Sequence, residues 1–381
     1  MSRTTPNLIP LSRPDLTAAD REAVAEVLKS GVLSEGPQVE AFEDLCAKLA
    51  GRSFAVAVNS GTSALLLSLI AAGVGPGDEV IASPLAGLPA ANAILACGAT
   101  PIFADVEVRS LNLDPALVEA KRTPRTKAIL ASATFGHPAT LDTLEAVARR
   151  NEAVLITDAS GAVGSKLGDR PTASFGRAGV HGFGPGRTIQ IGEGGVIVTD
   201  DDRLADYCRT VRSEGRTGTP PRHERAGFNL RLTELSAALG VSQLARLEET
   251  TAAREEIVTA YIGRLLDSKY VTLPTVGEGE TAAWSSFVVR LNTLFEPGDR
   301  DAACRLMGLR GIECGRDTAA IHREPLLGKT SAASCPVAER AGERALQLPL
   351  YVGLSAAEVE RICAALDATL EEVLLKQKRF N

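Results

Sequence analysis

Short apolar runs alternate with segments of helical periodicity between about residues 55 and 200. The runs include FAVAV, DEVIA, TPIF, KAILAS and AVLITD, which are rich in Val, Ile and Ala and have the length of buried strands. The segments between them, such as TSALLLSLIAAG and TLDTLEAVARRN, have the spacing of helices. This alternation predicts an α/β fold with a mostly parallel sheet that is covered by helices on both faces.

The pattern changes after the run VIVTDD, where helical segments dominate. The stretch TELSAALGVSQLARLEETTAAREEIVTAYIGRLL predicts a long helical path away from the sheet, and SSFVVRL, GIECG and SAAEVERICAALDATLEEVLL predict a small α+β unit after it. We therefore predict a large domain over residues 1–245, which includes the N-terminal segment. A linking helix and a small C-terminal domain would occupy residues 246–381.

Composition argues against several classes of function. The net charge is −6, from 41 Lys and Arg against 47 Asp and Glu, so no basic excess is available for nucleic acid or an anionic membrane. No apolar run approaches the roughly 18 residues of a membrane span, and the start, MSRTTPNLIPLSRPDL, lacks the core of a signal peptide. Seven scattered cysteines and four dispersed histidines show no metal-ligand spacing. We expect a cytoplasmic protein with reduced cysteines and no metal.

Candidate chemistry lies where the predicted strands end. The stretch NSGTSAL places Gly61, Thr62 and Ser63 between a strand and a helix, where backbone amides suit a phosphate. An ordinary N-capped turn also explains this stretch. Asp158 ends the run AVLITD, and a carboxylate at that edge can pair with a protonated ring nitrogen or cap the next helix.

Two further polar residues follow strand ends or tight turns. His137, in FGHP, either reaches the same crevice as Asp158 or lies on the surface. Glu193, in GEGG, either lines a pocket wall or is solvated. The local sequence leaves both alternatives open.

The order of these motifs resembles the DegT/StrS family of pyridoxal-phosphate-dependent sugar aminotransferases, which have the fold type I aminotransferase architecture. The resemblance extends nearly end to end and is carried by LSEGPQVEAFEDLCAKLAG, NSGTSAL, NAILACGATPIFADV, DAS, GEGGVIVTDD, GFNLRLTELSAALGVSQLARLE, IHREP and CPVAERAGERALQLPLY. It implies a large domain with a seven-stranded type of sheet, a small α+β C-terminal domain and a homodimer with shared active sites.

Several family positions are retained. The resemblance implies that Gly61, Thr62 and Ser63 form the turn that binds the cofactor's phosphate, and that Asp158 holds its pyridine nitrogen. Asn229, in GFNLR, matches the asparagine that binds the phosphate in the neighbouring subunit.

Other family positions are changed. The aromatic residue that stacks on the cofactor falls at Gly87 or Leu88, the Gln or His after the aspartate is Gly161, and in HGFGPGR the phosphate-binding serine is Gly182. The lysine that carries the cofactor as a Schiff base is Arg187. Because a guanidinium stays protonated and delocalised, Arg187 cannot form that bond or act as the ordinary base. The pocket has either been remade for a different or larger ligand or decayed after its chemistry was lost.

These changes favour an enzyme of the aminotransferase fold that acts on a sugar, a cyclitol or a related small metabolite without a lysine-bound cofactor. In one form it uses no pyridoxal phosphate, and Arg187 binds an anionic group of the substrate. The acid and base candidates are then His181, Asp158, Glu193 and His137. In another form, pyridoxamine phosphate binds non-covalently. The alternatives are an ordinary pyridoxal-phosphate-dependent aminotransferase of nucleotide-linked keto-sugars and a non-catalytic subunit that pairs with an active relative.

Overall fold

A computed structural model of the chain describes residues 8–138, 140–316, 319–327 and 334–380. Residues 1–7, part of the stretch examined for a signal peptide, lie outside the described residues. The helices are α1 (Ala18–Ser30), α2 (Pro37–Ala50), α3 (Gly61–Ala71), α4 (Leu88–Ala96), α5 (Pro115–Lys121), α6 (Leu141–Arg150), α7 (Asp202–Arg212), α8 (Glu234–Leu244), α9 (Leu247–Leu265), α10 (Asp299–Leu309), α11 (Pro336–Arg344) and α12 (Ala356–Phe380). The strands are β1 (Phe54–Val58), β2 (Glu79–Ala82), β3 (Thr100–Phe103), β4 (Thr126–Ser132), β5 (Val154–Asp158), β6 (Lys166–Leu167), β7 (Arg170–Pro171), β8 (Ala178–Gly182), β9 (Gly195–Thr199), β10 (Arg216–Thr217), β11 (Arg222–His223), β12 (Val271–Thr272), β13 (Glu280–Thr281), β14 (Phe287–Leu291) and β15 (Ala345–Leu348).

The central sheet has seven strands in the order β1-β9-β8-β5-β4-β2-β3. Strands β3, β2, β4, β5 and β8 pair in parallel. Strand β9 pairs antiparallel with both β1 and β8, so it alone runs against the other strands of this sheet. The predicted mostly parallel sheet is therefore confirmed, whereas the reversed β9 was not visible in an apolar pattern that carries no direction.

Alternate residues of each strand enter hydrophobic clusters on opposite faces of the sheet. On one face, Val56, Ile156 and Val180 pack with the buried side chains of α3, α4 and α7. On the other face, strand residues such as Val198 pack with α2 and α8, and others such as Leu155 pack with α6. This period of two is what a sheet buried on both sides requires.

A second layer of structure follows α9. Strands β12, β14 and β15 form an antiparallel sheet, and Phe287 of β14 stacks on Tyr261 of α9 with ring centroids 4.8 Å apart. Ile9 joins the same hydrophobic cluster, and GIECG contributes single bridges, Ile9 with Ile312 and Gly315 with Gln347, rather than a strand. The domain division after residue 245 stays a prediction. Within the described ranges, no helix is both long and apolar enough to cross a membrane.

Helix α2 is capped by a side chain from a distant helix. Gly36, at its N-cap position, has no side chain to accept the first N–H groups. The buried carboxylate of Glu234 accepts hydrogen bonds from the N–H groups of Gly36 at 3.0 Å, Gln38 at 2.8 Å and Val39 at 3.0 Å. These bonds join α2 to α8. Three backbone N–H groups at the start of α2 have no acceptor within their own helix, and all three donate to the side chain of the first residue of α8.

We expect Glu234→Ala to lower the free energy of unfolding by about 3 kcal/mol, because the substitution leaves one buried and two partly buried N–H groups without an acceptor. Urea denaturation measures the change. Glu255→Ala, on the exposed side of α9, is the matched control and should shift stability by less than about 0.5 kcal/mol. Equal effects of the two substitutions would contradict the capping role.

Candidate active site

The candidate site forms at the carboxyl edge of the central sheet, where β4, β5 and β8 end side by side. Asp158, the last residue of β5, is in register with Ser132 of β4 and Val180 of β8. Its backbone carbonyl accepts a hydrogen bond from Ala133 N–H at 2.9 Å, which fixes the strand end. Its half-buried carboxylate accepts a hydrogen bond from Ser160 N–H at 3.0 Å. This carboxylate thus stands at the edge where open α/β sheets bind ligands.

Helix α3 begins beside this edge with an N-capped turn. The Ser60 hydroxyl accepts a hydrogen bond from Ser63 N–H at 3.1 Å, and the Ser63 hydroxyl donates to Asn59 Oδ1 at 2.7 Å. The N–H group of Ser63 is therefore capped by the Ser60 side chain, as in an ordinary N-capped turn. The N–H groups of Gly61 and Thr62 precede the capped one at the positive end of the helix, and their binding of a phosphate stays a prediction.

Glycines bring α3 and the end of β8 close together. A Cβ on Gly61 would lie 3.2 Å from the Cα of Gly182. A Cβ on Gly182 would lie 3.0 Å from the hydroxyl oxygen of Ser160, which is too close unless Ser160 moves. Ser160 is 8% exposed, and its hydroxyl has no hydrogen-bond partner in the part of the chain that the structure describes. Ser160 is not among the residues predicted from the sequence, although a hydroxyl two residues after Asp158 was a signal for it.

His181 is buried one residue before the end of β8. Its Nδ1 donates a hydrogen bond to the Ala159 carbonyl at 2.9 Å, so the neutral ring carries its proton there. Burial lowers the pKa of His181, and the Ala159 carbonyl and the charge of Asp158 oppose this effect. His181 is thus kept neutral close to Asp158, and its role as an acid or base stays a prediction.

Arg187 lies in the loop between β8 and β9 and reaches back to the end of β5. Its Nη1 atom lies 3.4 Å from the position that a Cβ on Gly161 would take, and the hydroxyl oxygen of Ser285 lies 3.1 Å from the same position. Arg187 is half-buried, and among the described residues no carboxylate oxygen lies within 4.0 Å of its guanidinium. A partly desolvated cation without a counter-ion is suited to bind an anion.

His137 contacts β13 and the segment that precedes it. Its Nε2 lies 2.7 Å from the Thr275 carbonyl oxygen and 3.3 Å from a carboxylate oxygen of Glu280. The cavity beside it has a volume of about 30 Å³, which is room for water molecules and not for a sugar ring. Its predicted acid or base role is not tested by this geometry and stays a prediction.

Glu193 and Asn229 are both exposed. A carboxylate oxygen of Glu193 lies 3.3 Å from the position of a Cβ on Gly184, across the loop that carries Arg187. Asn229 forms a single antiparallel bridge with Ser213, and Arg231, two residues later, forms another with Val58 at the end of β1. These contacts do not test the predicted roles of Glu193 and Asn229, which stay predictions.

The position predicted for a stacking aromatic residue has a backbone suited to glycine. Gly87 has φ +80° and ψ 163°, a region that other residues adopt only at a cost of about 1–3 kcal/mol. Leu88, the other position considered, begins α4 and is 44% exposed. An aromatic side chain could not be restored at Gly87 without backbone strain.

Comparisons with known proteins agree with this architecture. A sequence profile of the DegT/DnrJ/EryC1/StrS aminotransferase family matches residues 14–367. GDP-perosamine synthase from Caulobacter vibrioides is 36% identical over 368 residues, which are 95% of this chain and 98% of that protein. Among solved structures, the aminotransferase TlmJ from Streptoalloteichus hindustanus has a TM-score of 0.90 at 32% identity, with 96% of this chain and 99% of that chain covered. DesV from S. venezuelae, solved in complex with a ketimine intermediate, has a TM-score of 0.88 at 32% identity and the same coverage. The predicted fold type I aminotransferase architecture is confirmed.

We expect Gly182→Ser to lower the free energy of unfolding by about 1–2 kcal/mol, because its Cβ would overlap the Ser160 hydroxyl. Adding Ser160→Ala should recover part of the loss, since it removes the nearest atom. Urea denaturation of the single and the double variant measures this recovery. Gly263→Ser, where nothing lies within 4 Å of a new Cβ, is the control, and equal losses at 182 and 263 would contradict the close contact.

We expect the protein to lose stability as the pH falls below the ordinary His value of 6.5, in part through His181. The folded pKa of His181 is lowered, so the unfolded chain binds the proton first, and stability falls by at most about 1.4 kcal/mol per pH unit from this group. His181→Asn should flatten the dependence measured by denaturation at pH 7 to 5. His223→Asn, at an exposed site, should leave the slope unchanged, and a His181→Asn slope equal to that of the unsubstituted protein would refute the assignment.

Proposed function

Because the chain belongs to the DegT/DnrJ/EryC1/StrS aminotransferase family, we propose that it is a biosynthetic enzyme that acts on a sugar, a cyclitol or a related small metabolite. We propose further that it works without a cofactor bound covalently to lysine. One observation carries this second part: the side chain that reaches the end of β5 from the loop after β8 is the guanidinium of Arg187. A guanidinium does not lose its proton near neutral pH and cannot form the bond to a carbonyl that an amine forms.

The site fits part of a pyridoxal-type cofactor. The N–H groups at the start of α3 and the hydroxyl of Ser160, which has no hydrogen-bond partner among the described residues, suit its phosphate, and Asp158 suits its protonated ring nitrogen. The attachment point does not fit, because the loop from residue 183 to residue 194 contains no lysine and Lys166 lies exposed on β6. When bound, pyridoxamine phosphate supplies an amino group and an electron-accepting ring. Its non-covalent binding and the absence of any such cofactor both remain compatible with this proposal.

The residues of the chain divide the remaining tasks. Arg187 binds and orients an anionic group of the substrate, since its planar fork donates two parallel hydrogen bonds. His181 holds a proton at Nδ1 and leaves Nε2 free of a proton, so it suits proton transfer near Asp158. Asp158 holds a positive charge or protonated nitrogen at the sheet edge.

We also propose that the chain acts as a homodimer in which Asn229 serves the site of the second copy. The segment that carries Asn229 is anchored on its own subunit by a hydrogen bond from Asn59 N–H to the Leu230 carbonyl at 2.8 Å. Asn229 itself is exposed, and the neighbouring Phe228 leaves 48% of its surface uncovered. An exposed aromatic side chain beside an exposed amide suits a surface that a second copy covers.

We expect the purified protein, mixed with pyridoxal phosphate and then borohydride, to carry no label on any lysine when its peptides are mapped by mass spectrometry. Arg187→Lys should acquire the label at position 187, because it restores the amine beside retained phosphate and ring-nitrogen groups. Absorption near the visible edge should follow the same pattern.

The matched control is Arg203→Lys, at an exposed position of α7, which should stay unlabelled. Labelling of a lysine in the unsubstituted protein would refute the proposal and favour an ordinary aminotransferase. An unlabelled Arg187→Lys variant would show that the glycines at the other changed family positions (Gly87, Gly161 and Gly182), and not Arg187 alone, prevent covalent attachment.

A further inference from the structure

Three segments meet at Gly161. This glycine follows β5, Arg187 comes from the loop after β8, and Ser285 comes from the segment before β14. The Arg187 Nη1 and the Ser285 hydroxyl both approach the position of a Cβ on Gly161, at 3.4 Å and 3.1 Å. They are not hydrogen-bonded to each other, and neither side chain has another hydrogen-bond partner among the residues described. Ser285 is only 5% exposed, and its hydroxyl, which has no hydrogen-bond partner among the described residues, lies close to this position.

The backbone that carries Ser285 is held by a buried arginine. Arg254 of α9 is 4% exposed, and its guanidinium donates hydrogen bonds to the carbonyls of Trp284 at 2.8 Å and Ser285 at 2.7 Å. No carboxylate balances this charge within 4.0 Å among the described residues. Burial lowers the pKa of Arg254 to about 10. Burying this cation is energetically unfavourable, and its hydrogen bonds hold the two carbonyls in place.

The same corner carries a second unfavourable feature. Trp284 has φ +31°, a positive value that a bulky residue adopts only when its surroundings impose it. A hydrogen-bond relay imposes it from the other side, because Ala283 N–H donates to the Ser165 hydroxyl at 2.9 Å and that hydroxyl donates to the Gly136 carbonyl at 2.7 Å. Strain and a buried charge at one position are typical of a functional site that the fold holds rigid.

We propose that Arg187 and Ser285 form a clamp for a carboxylate of the substrate, with Arg254 as the positioning residue for Ser285. This inference rests on the proposed role of Arg187 as an anion-binding residue and deepens it. The guanidinium donates two hydrogen bonds to a planar carboxylate, and the Ser285 hydroxyl donates a third. The single positive charge of Arg187 balances one negative charge. The carbonyl oxygen of Ala133, 3.7 Å from the same position above Gly161, opposes the second charge of a phosphate.

The substrate class that follows is a sugar acid or a carboxylated cyclitol. Such a molecule combines a hydroxylated ring with one singly charged group. The clamp orients that ring so that its reacting carbon faces the carboxyl edge of the sheet, where Asp158 and His181 stand. Gly161 allows the Arg187 guanidinium and the Ser285 hydroxyl to come together at this point, because a Cβ there would lie only 3.1 Å from the Ser285 oxygen.

The clamp is tested with acetate, acetamide and inorganic phosphate as probes at constant ionic strength. Trp284 is the only tryptophan of the chain, so its fluorescence reports on the corner directly. We expect acetate to change the emission saturably and to raise the unfolding temperature, while acetamide does neither and phosphate binds more weakly than acetate. Arg187→Met should weaken acetate binding by more than about tenfold, and Ser285→Ala by about three- to tenfold.

Ser286→Ala, at the next residue, is the matched control and should bind acetate like the unsubstituted protein. Equal responses to acetate and acetamide, tighter binding of phosphate, or unchanged emission and unfolding temperature in acetate would each overturn the clamp. So would equal effects of Ser285→Ala and Ser286→Ala. These outcomes are separate from the borohydride result, because acetate binding does not require any cofactor and lysine labelling does not require the clamp.

The role of Arg254 needs its own variant. Arg254→Lys keeps a charge but cannot donate to both carbonyls in the same fixed geometry. We expect it to weaken acetate binding about as much as Ser285→Ala does, with the variant still folded by circular dichroism. Adding Arg254→Lys to Ser285→Ala should then weaken binding no further. Additive losses would show that Arg254 does not act through Ser285.

Discussion

The pairing of β5 between β4 and β8 is the constraint on which the candidate site depends. Because all three strands run in the same direction, their carboxyl ends meet at one edge. The backbone of Asp158 bonds to the chain after β4, and the adjoining Ala159 N–H bonds to the Val180 carbonyl at 2.8 Å. The carboxylate, the start of α3 and the loop with Arg187 are all placed by this one arrangement. A shift of β5 by one residue would turn Asp158 to the other face of the sheet.

Space at this edge is divided by glycines and small side chains. Gly61 and Gly182 allow α3 and the end of β8 to approach each other closely, and the Ser160 hydroxyl lies 3.0 Å from the position of a Cβ on Gly182. Gly161 allows Arg187 and Ser285 to approach the same point. These glycines are therefore not merely lost side chains. At Gly61, Gly161 and Gly182 a Cβ would lie only 3.0–3.2 Å from a neighbouring atom, so a larger residue would force that neighbour to move.

The pattern of apolar residues was sufficient to predict the alternating strands and helices, since β1 to β5 and the helices between them are local periodic segments. It did not reveal that β9 runs antiparallel, because pairing direction depends on where distant segments meet. Contacts between distant segments also explain why the sequence analysis did not predict some residues of the site. Ser285 and Arg254 have no unusual local spacing, and their importance comes from chain segments that are more than 20 residues apart in sequence.

The amino-acid sequence by itself determined the fold class, the family and the chemical identity of Arg187, because these depend on periodicity, motif order and the fixed charge of a guanidinium. Tertiary structure alone decided which side chains share the site. It brought Asp158, His181 and Arg187 to one edge, and it turned His137 towards Thr275 and Glu280. It also left the Arg187 guanidinium without a counter-ion among the described residues. Such facts depend on distances across the fold, which packing sets and which no local stretch of sequence encodes.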